Sequence, residues 1–172
     1  KSNILSGFTW NHIVGTNDGS TSKIYVNGSL ANSISQGATS AFSGNLIIGS
    51  YMEDRSLEKY WNGLIDEVAV WNDALTASEV TSLYNSGLAL DAKSNSGNYT
   101  SSDDLRGYWK MEEEDLIAPI GGGSLDDGTI LTDLSGYGNN GTKISGSITW
   151  KTGKKSTSYS NPPKDITAPT VT

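Results

Sequence analysis

The sequence predicts an all-β protein, a two-sheet antiparallel β-sandwich with one short helix. Three observations carry this expectation. Of its 172 residues 20 are Gly, and Ser, Thr and Asn are abundant, a composition suited to many turns between short strands. Apolar and polar residues alternate in several segments bounded by turn signals such as Asn17-Asp18-Gly19 and Asn27-Gly28. A single stretch, residues 76–87, combines helical spacing with a start and a stop signal.

Taken in order, residues 8–16 alternate as a strand, with Phe8, Trp10, His12 and Val14 on one face. Residues 22–26 form the next strand, closed by the type I′ signal Asn27-Gly28, and residues 29–35 are its polar return. Residues 42–50 read as a further strand, and the charged residues 52–59 as a solvated loop. Residues 60–71 read as a long core strand. Leu64, Asp66, Val68 and Val70 share one face, and Ile65, Glu67, Ala69 and Trp71 the other. Asp66 is the anomaly there. A carboxylate in line with three aliphatic residues needs a partner or a metal.

Thr76-Ala-Ser-Glu79 is a capping box, Val80, Leu83 and Tyr84 form the packing stripe, and Gly87 ends the helix. Residues 88–104 are Ser/Asn/Asp-rich and read as a surface excursion. A strand at 105–111 leads into the acidic run Glu112, Glu113, Glu114 and Asp115, read as a solvated face. After an irregular stretch that includes Asp126 and Asp127, residues 129–134 run into the turn-rich loop 135–141. A last strand follows at 142–150. Residues 151–172 have a linker composition. One unit over 1–150 is expected, with 1–87 and 105–150 as its two parts.

Composition excludes several functions. The chain has no cysteine and a single histidine, His12, so disulfides, thiolate metal sites and His-rich zinc sites are not available. A net charge of -7 argues against nucleic acid and anionic membranes as partners and suits divalent cations. No run of about 18 apolar residues exists to span a membrane. The polar opening Lys1-Ser2-Asn3, without Met, predicts a mature or excised piece. The Asn-x-Ser/Thr triplets at Asn27, Asn98 and Asn140 are as well explained by chance as by glycosylation.

Three stretches together resemble one family. Trp10-Asn-His-Ile-Val14 with Lys23-Ile-Tyr-Val-Asn-Gly28 is similar to the hairpin of laminin G-like, concanavalin A-like lectin/glucanase domains. Residues 63–75 (GLIDEVAVWNDAL), then Ser78-Glu79 and Leu83-Tyr84, look like that family's terminal strand and helix in its bacterial form. Gly107-Tyr-Trp-Lys-Met-Glu112 with residues 132–142 (TDLSGYGNNGT) resembles that form's front signature. The resemblance implies a concanavalin A-like jelly roll with its front following its back. Such an order fits a piece of a repeat array, a circularly permuted unit, or strands that complete a neighbouring molecule. The late segment is expected to pack back onto the same sandwich. The end, DITAPTVT, resembles the lead-in to an immunoglobulin-like repeat of large bacterial surface proteins.

The resemblance also implies a calcium ion between the acid of the Ile65-Asp66-Glu67-Val68 strand and the glycine-rich loop. Asp66 and Asp133 would supply carboxylates, Gly136, Gly138, Asn139 and Asn140 further oxygens, and Glu112 or Glu113 a further carboxylate. The competing reading makes Asp133 a turn residue and Asp66 a backbone acceptor. Sugar binding would use aromatics in or beside loops, namely Tyr51, Tyr60, Trp61, Tyr99 and Tyr137, although strand aromatics such as Trp71 more often pack a core. A glycosidase pair must face one cleft, whereas adjacent Asp66 and Glu67 would point to opposite faces of a strand. His12 lacks a nucleophile to complete a triad.

The expected function is therefore non-catalytic binding or adhesion outside a bacterial cell. A glycan or surface polymer would be the ligand and calcium a structural cofactor. The rival is a structural repeat that assembles with copies of itself or neighbouring repeats by strand addition.

Overall fold

The computed structural model describes residues 9–35, 44–53, 56–58, 60–88, 90–111 and 129–143. The described chain is mostly short strands in antiparallel sheets, with one α-helix. Strands β1 (Ile13–Asn17), β2 (Thr21–Val26) and β3 (Ser29–Ser35) form a three-stranded sheet in that order. β4 (Tyr51–Glu53) pairs with β5 (Ser56–Glu58), and β6 (Val68–Trp71) with β7 (Leu105–Trp109). β8 (Ile130–Leu131) pairs with β9 (Gly141–Thr142), and helix α1 (Ala77–Tyr84) follows β6. The expected strand at 144–150, the acidic run at 112–115, Asp126-Asp127 and the linker 151–172 lie outside the described residues.

The β2–β3 turn follows its residues. Asn27 and Gly28 adopt φ of 50° and 77°, the left-handed pair that a type I′ turn requires. A Cβ on Gly28 would lie 2.9 Å from Cδ1 of Tyr84, so the turn rests directly on α1. The Thr81 hydroxyl donates to the Gly28 carbonyl at 3.0 Å and fastens the two. Val14 and Tyr25 pair across β1 and β2 and are buried. On the opposite face Ile13, Ile24 and Ile34 are exposed, so this sheet has one apolar face in the core and one in solvent.

Helix α1 starts as its sequence dictates. The Thr76 hydroxyl accepts from the Glu79 amide at 3.3 Å, and the Glu79 carboxylate accepts from the Thr76 amide at 2.9 Å. That carboxylate also accepts from the Thr100 amide and hydroxyl, each at 3.3 Å, and from the Ser101 hydroxyl. Burial alone would raise the Glu79 pKa, but the donors from Ser101, Thr76 and Thr100 outweigh it and hold it down at about 2. Glu79 thus caps the helix and anchors a distant segment.

Within that segment, residues 88–104, where a surface excursion is expected, positions 93–98 are exposed but two residues reach the core. Ala92 and Tyr99 are buried in one core with Val14, Tyr25, Leu75, Val80, Leu83, Leu105 and Tyr108, and Trp71 packs against it. The Tyr99 hydroxyl donates to the Ala92 carbonyl at 2.7 Å and accepts from the Trp71 indole at 2.9 Å. A fully buried tyrosine needs such partners, and a Ser/Asn-rich segment gave no sign of supplying one.

Four readings are corrected. β1 starts at Ile13 rather than residue 8, and residues 44–50 form no strand. Residues 51–58 form a hairpin rather than a charged loop, with Tyr51 opposite Glu58. The strand expected over 60–71 is confined to Val68–Trp71. Glu67 has φ 54°, a left-handed conformation in which a strand cannot continue. β7 pairs with β6, Val68 opposite Trp109 and Ala69 opposite Tyr108, which brings the late segment against the end of the early one.

Candidate functional site

The break at Glu67 moves the buried acid. Asp66 leaves the strand face proposed for it, and its carboxylate accepts from the Glu67 amide at 3.1 Å. Glu67 instead turns inward, where its carboxylate accepts from the hydroxyl of fully buried Tyr108. Burial raises the Glu67 pKa to about 7; the Tyr108 hydrogen bond and Lys110 pull against the rise, and Asp66 and Asp91 add to it. Burial and the neighbouring Glu67 carboxylate push the Tyr108 phenol far up. Residue types alone gave no signal for this exchange, because strict alternation put Asp66 and Glu67 on opposite faces.

Asp133 organises the glycine-rich loop. Its buried carboxylate accepts from the amides of Tyr108, Ser135 and Asn139, each at 2.9 Å, and from the Ser135 hydroxyl at 2.8 Å. Burial works against its ionisation, but these donors prevail and hold its pKa below the ordinary carboxylate value. Asn140 accepts from the Asp133 amide at 2.9 Å, and the Asn139 carbonyl accepts from the Trp109 indole at 3.1 Å. The Asn139 side-chain amide donates to the Arg106 carbonyl at 2.7 Å. Gly136 and Gly138 take φ of 92° and 74°, which lets the chain double back through these bonds.

These contacts bear on calcium. The ion takes about six to eight oxygens converging on one point. Here both oxygens of Asp133, the carbonyl of Asn139, the side-chain oxygen of Asn140 and one oxygen of Asp66 each accept from a protein donor. Among the described residues, no group of three or more His, Cys, Asp or Glu could hold a metal. As arranged, these groups form a hydrogen-bonded staple joining the loop to β7.

The aromatic residues divide into three groups. Tyr99 is 0% exposed, which removes it from the candidate glycan contacts. Tyr137 is exposed with the Arg106 guanidinium over its ring, 4.6 Å from the centroid. Tyr51, Tyr60 and Trp61 are 55%, 53% and 58% exposed and line one cleft of about 460 Å³ with Gly49, Ser50, Asn62 and Ile65.

The cleft is held by short-range bonds. The Trp61 amide donates to the Gly49 carbonyl at 2.8 Å and ties its two walls together. The Trp61 indole donates to the Leu64 carbonyl at 3.3 Å, which fixes the ring. A Cβ on Gly63 would lie 2.8 Å from the indole nitrogen, so the chain turns beneath the ring only because residue 63 has no side chain. The sequence marked all three aromatics. Their convergence depends on the β4–β5 hairpin, which sequence reading took for a loop.

His12 belongs to the frame. Its backbone exchanges hydrogen bonds with Asn27, and its ring stacks on Tyr84 with centroids 5.9 Å apart. Its Nδ1 is buried and has no hydrogen-bond partner among the described residues, and burial lowers the ring's pKa, which favours neutral imidazole.

A solved carbohydrate-binding candidate from Bacteroides ovatus is 23% identical, with a TM-score of 0.58 over 87% of this chain and 38% of its own. An S-layer domain-containing protein from Clostridium thermocellum is 24% identical, with a TM-score of 0.44 over 49% of this chain and 43% of its own. This chain therefore spans well under half the length of either. No curated protein matches it. The family model described as concanavalin A-like lectin/glucanases superfamily matches residues 2–81.

Proposed function

We propose that this protein is a non-catalytic carbohydrate-binding module that works outside the cell and holds its ligand in the Tyr51–Tyr60–Trp61 cleft. One observation carries the reading: three aromatic rings, each more than half exposed, line one open, shallow cleft. Clustered apolar surface of this kind marks interaction sites, and the apolar faces of sugar rings stack on such side chains. The described lining is aromatic, amide, hydroxyl and aliphatic, whereas glycosidic cleavage calls for two facing carboxylates. The description of the Bacteroides ovatus protein as a carbohydrate-binding candidate agrees with this reading. Glycan-array screening tests it. Wild type should bind a subset of glycans and Trp61→Ala should lose them, whereas a flat array for wild type rejects the proposal.

A second reading, assembly with like modules, draws on the exposed isoleucines Ile13, Ile24 and Ile34 on the outer face of the β1–β3 sheet. It requires light scattering to rise with protein concentration and Ile34→Lys to suppress the rise; a monomer at all concentrations excludes it.

A further inference from the structure

The cleft's chemistry goes further than the class of carbohydrate. We propose that it selects an uncharged polysaccharide chain and discriminates against chains bearing carboxylate or sulfate groups, an inference that rests on the carbohydrate-binding reading above. The described lining of Gly49, Ser50, Tyr51, Tyr60, Trp61, Asn62 and Ile65 is electrically neutral. The wall at Ile65 runs directly into the acid Asp66, and the whole chain carries -7. An anionic ligand would meet a repulsive field and would lose hydration without gaining a counter-charge from the described lining. Arg106 lies over the ring of Tyr137, which is not among the cleft's lining residues.

A neutral sugar makes different demands. Its C–H faces need apolar rings, which Tyr51, Tyr60 and Trp61 present, and its hydroxyls need small neutral donors and acceptors. Asn62 is placed on the lining to supply them. The Trp61 indole N–H is committed to the Leu64 carbonyl, so this ring contributes surface rather than a hydrogen bond. The cleft volume of about 460 Å³ falls within the ~300–1,000 Å³ of small-molecule sites, enough for a short stretch of chain rather than a long one.

Affinity electrophoresis separates the outcomes, using hydroxyethylcellulose, xyloglucan and laminarin as neutral probes and polygalacturonate, alginate and heparin as anionic ones. At least one neutral polymer should retard the wild type, with affinity unchanged within about twofold between low and high salt. Trp61→Ala should weaken that binding by roughly tenfold or more, and Tyr60→Ala, a second exposed position, should weaken it in the same gel. Melting curves matching wild type establish that both variants are folded. Equal or tighter binding to the anionic polymers, falling with salt, overturns this inference and leaves carbohydrate binding standing. No retardation by any probe, with a flat glycan array, overturns both.

Discussion

Asp133→Asn distinguishes a hydrogen-bonded staple from a metal site. The asparagine keeps the size of the side chain and one acceptor oxygen, which can still receive the Tyr108 and Ser135 amides. Its NH₂ replaces the oxygen that receives the Asn139 amide and the Ser135 hydroxyl, both within 2.9 Å in the wild type. The hydroxyl can rotate to accept; the backbone N–H cannot. An unsatisfied N–H at such a site costs about 1–3 kcal/mol. Loss of charge assistance on the remaining bonds adds ~1 kcal/mol. The sum is about 2–4 kcal/mol, or a fall of roughly 10 °C in melting temperature for a chain of this size. Thermal melts by circular dichroism, with calcium or with EDTA, read the effect. The staple predicts that wild type melts alike in both and the variant melts lower in both. If EDTA drops wild type to the level of the variant and calcium restores it, a cation holds the loop. If the variant melts within about 2 °C of wild type, Asp133 does not hold it either.

Two further outcomes follow from the same geometry. Glu67 keeps its proton in the folded state up to about pH 7, while the unfolded chain releases it near ~4.3, so stability should fall by about 4 kcal/mol as pH rises between these values. Glu79, held at about 2, acts oppositely: its contribution is present above the ordinary glutamate value and is lost as pH falls toward 2. Urea unfolding from pH 3 to 8 should peak near pH ~4.5, and Glu67→Gln should flatten the neutral limb; an unchanged limb assigns the slope elsewhere. Gly28→Ala forces a side chain into φ 77° and within 2.9 Å of Tyr84 Cδ1, at a cost of about 1–3 kcal/mol in the urea midpoint. An unshifted midpoint would show that the turn does not bear on α1 as described.

What the sequence carried was local. The Asn27-Gly28 turn, the Thr76/Glu79 box and the loop opened by Asp133 each rest on bonds between residues close in the chain, so residue types and spacing reveal them. Exposure of Tyr51, Tyr60, Trp61 and Tyr137 was likewise readable, as aromatics beside turn-rich stretches. Contacts between distant residues were not. Tyr99 sits in a polar stretch and is buried only because Trp71, 28 positions earlier, offers an indole donor and Ala92 an acceptor. Asp66 and Glu67 are interchangeable by composition. A single left-handed residue and the Tyr108 hydroxyl, 41 positions away, decide that Glu67 is the desolvated one. Three scattered aromatics become one cleft only once a hairpin and a Trp61–Gly49 hydrogen bond draw residues 49–51 and 60–65 together. Alternation and capping act over a few residues and can be read along the chain, whereas desolvation and convergence belong to the folded whole.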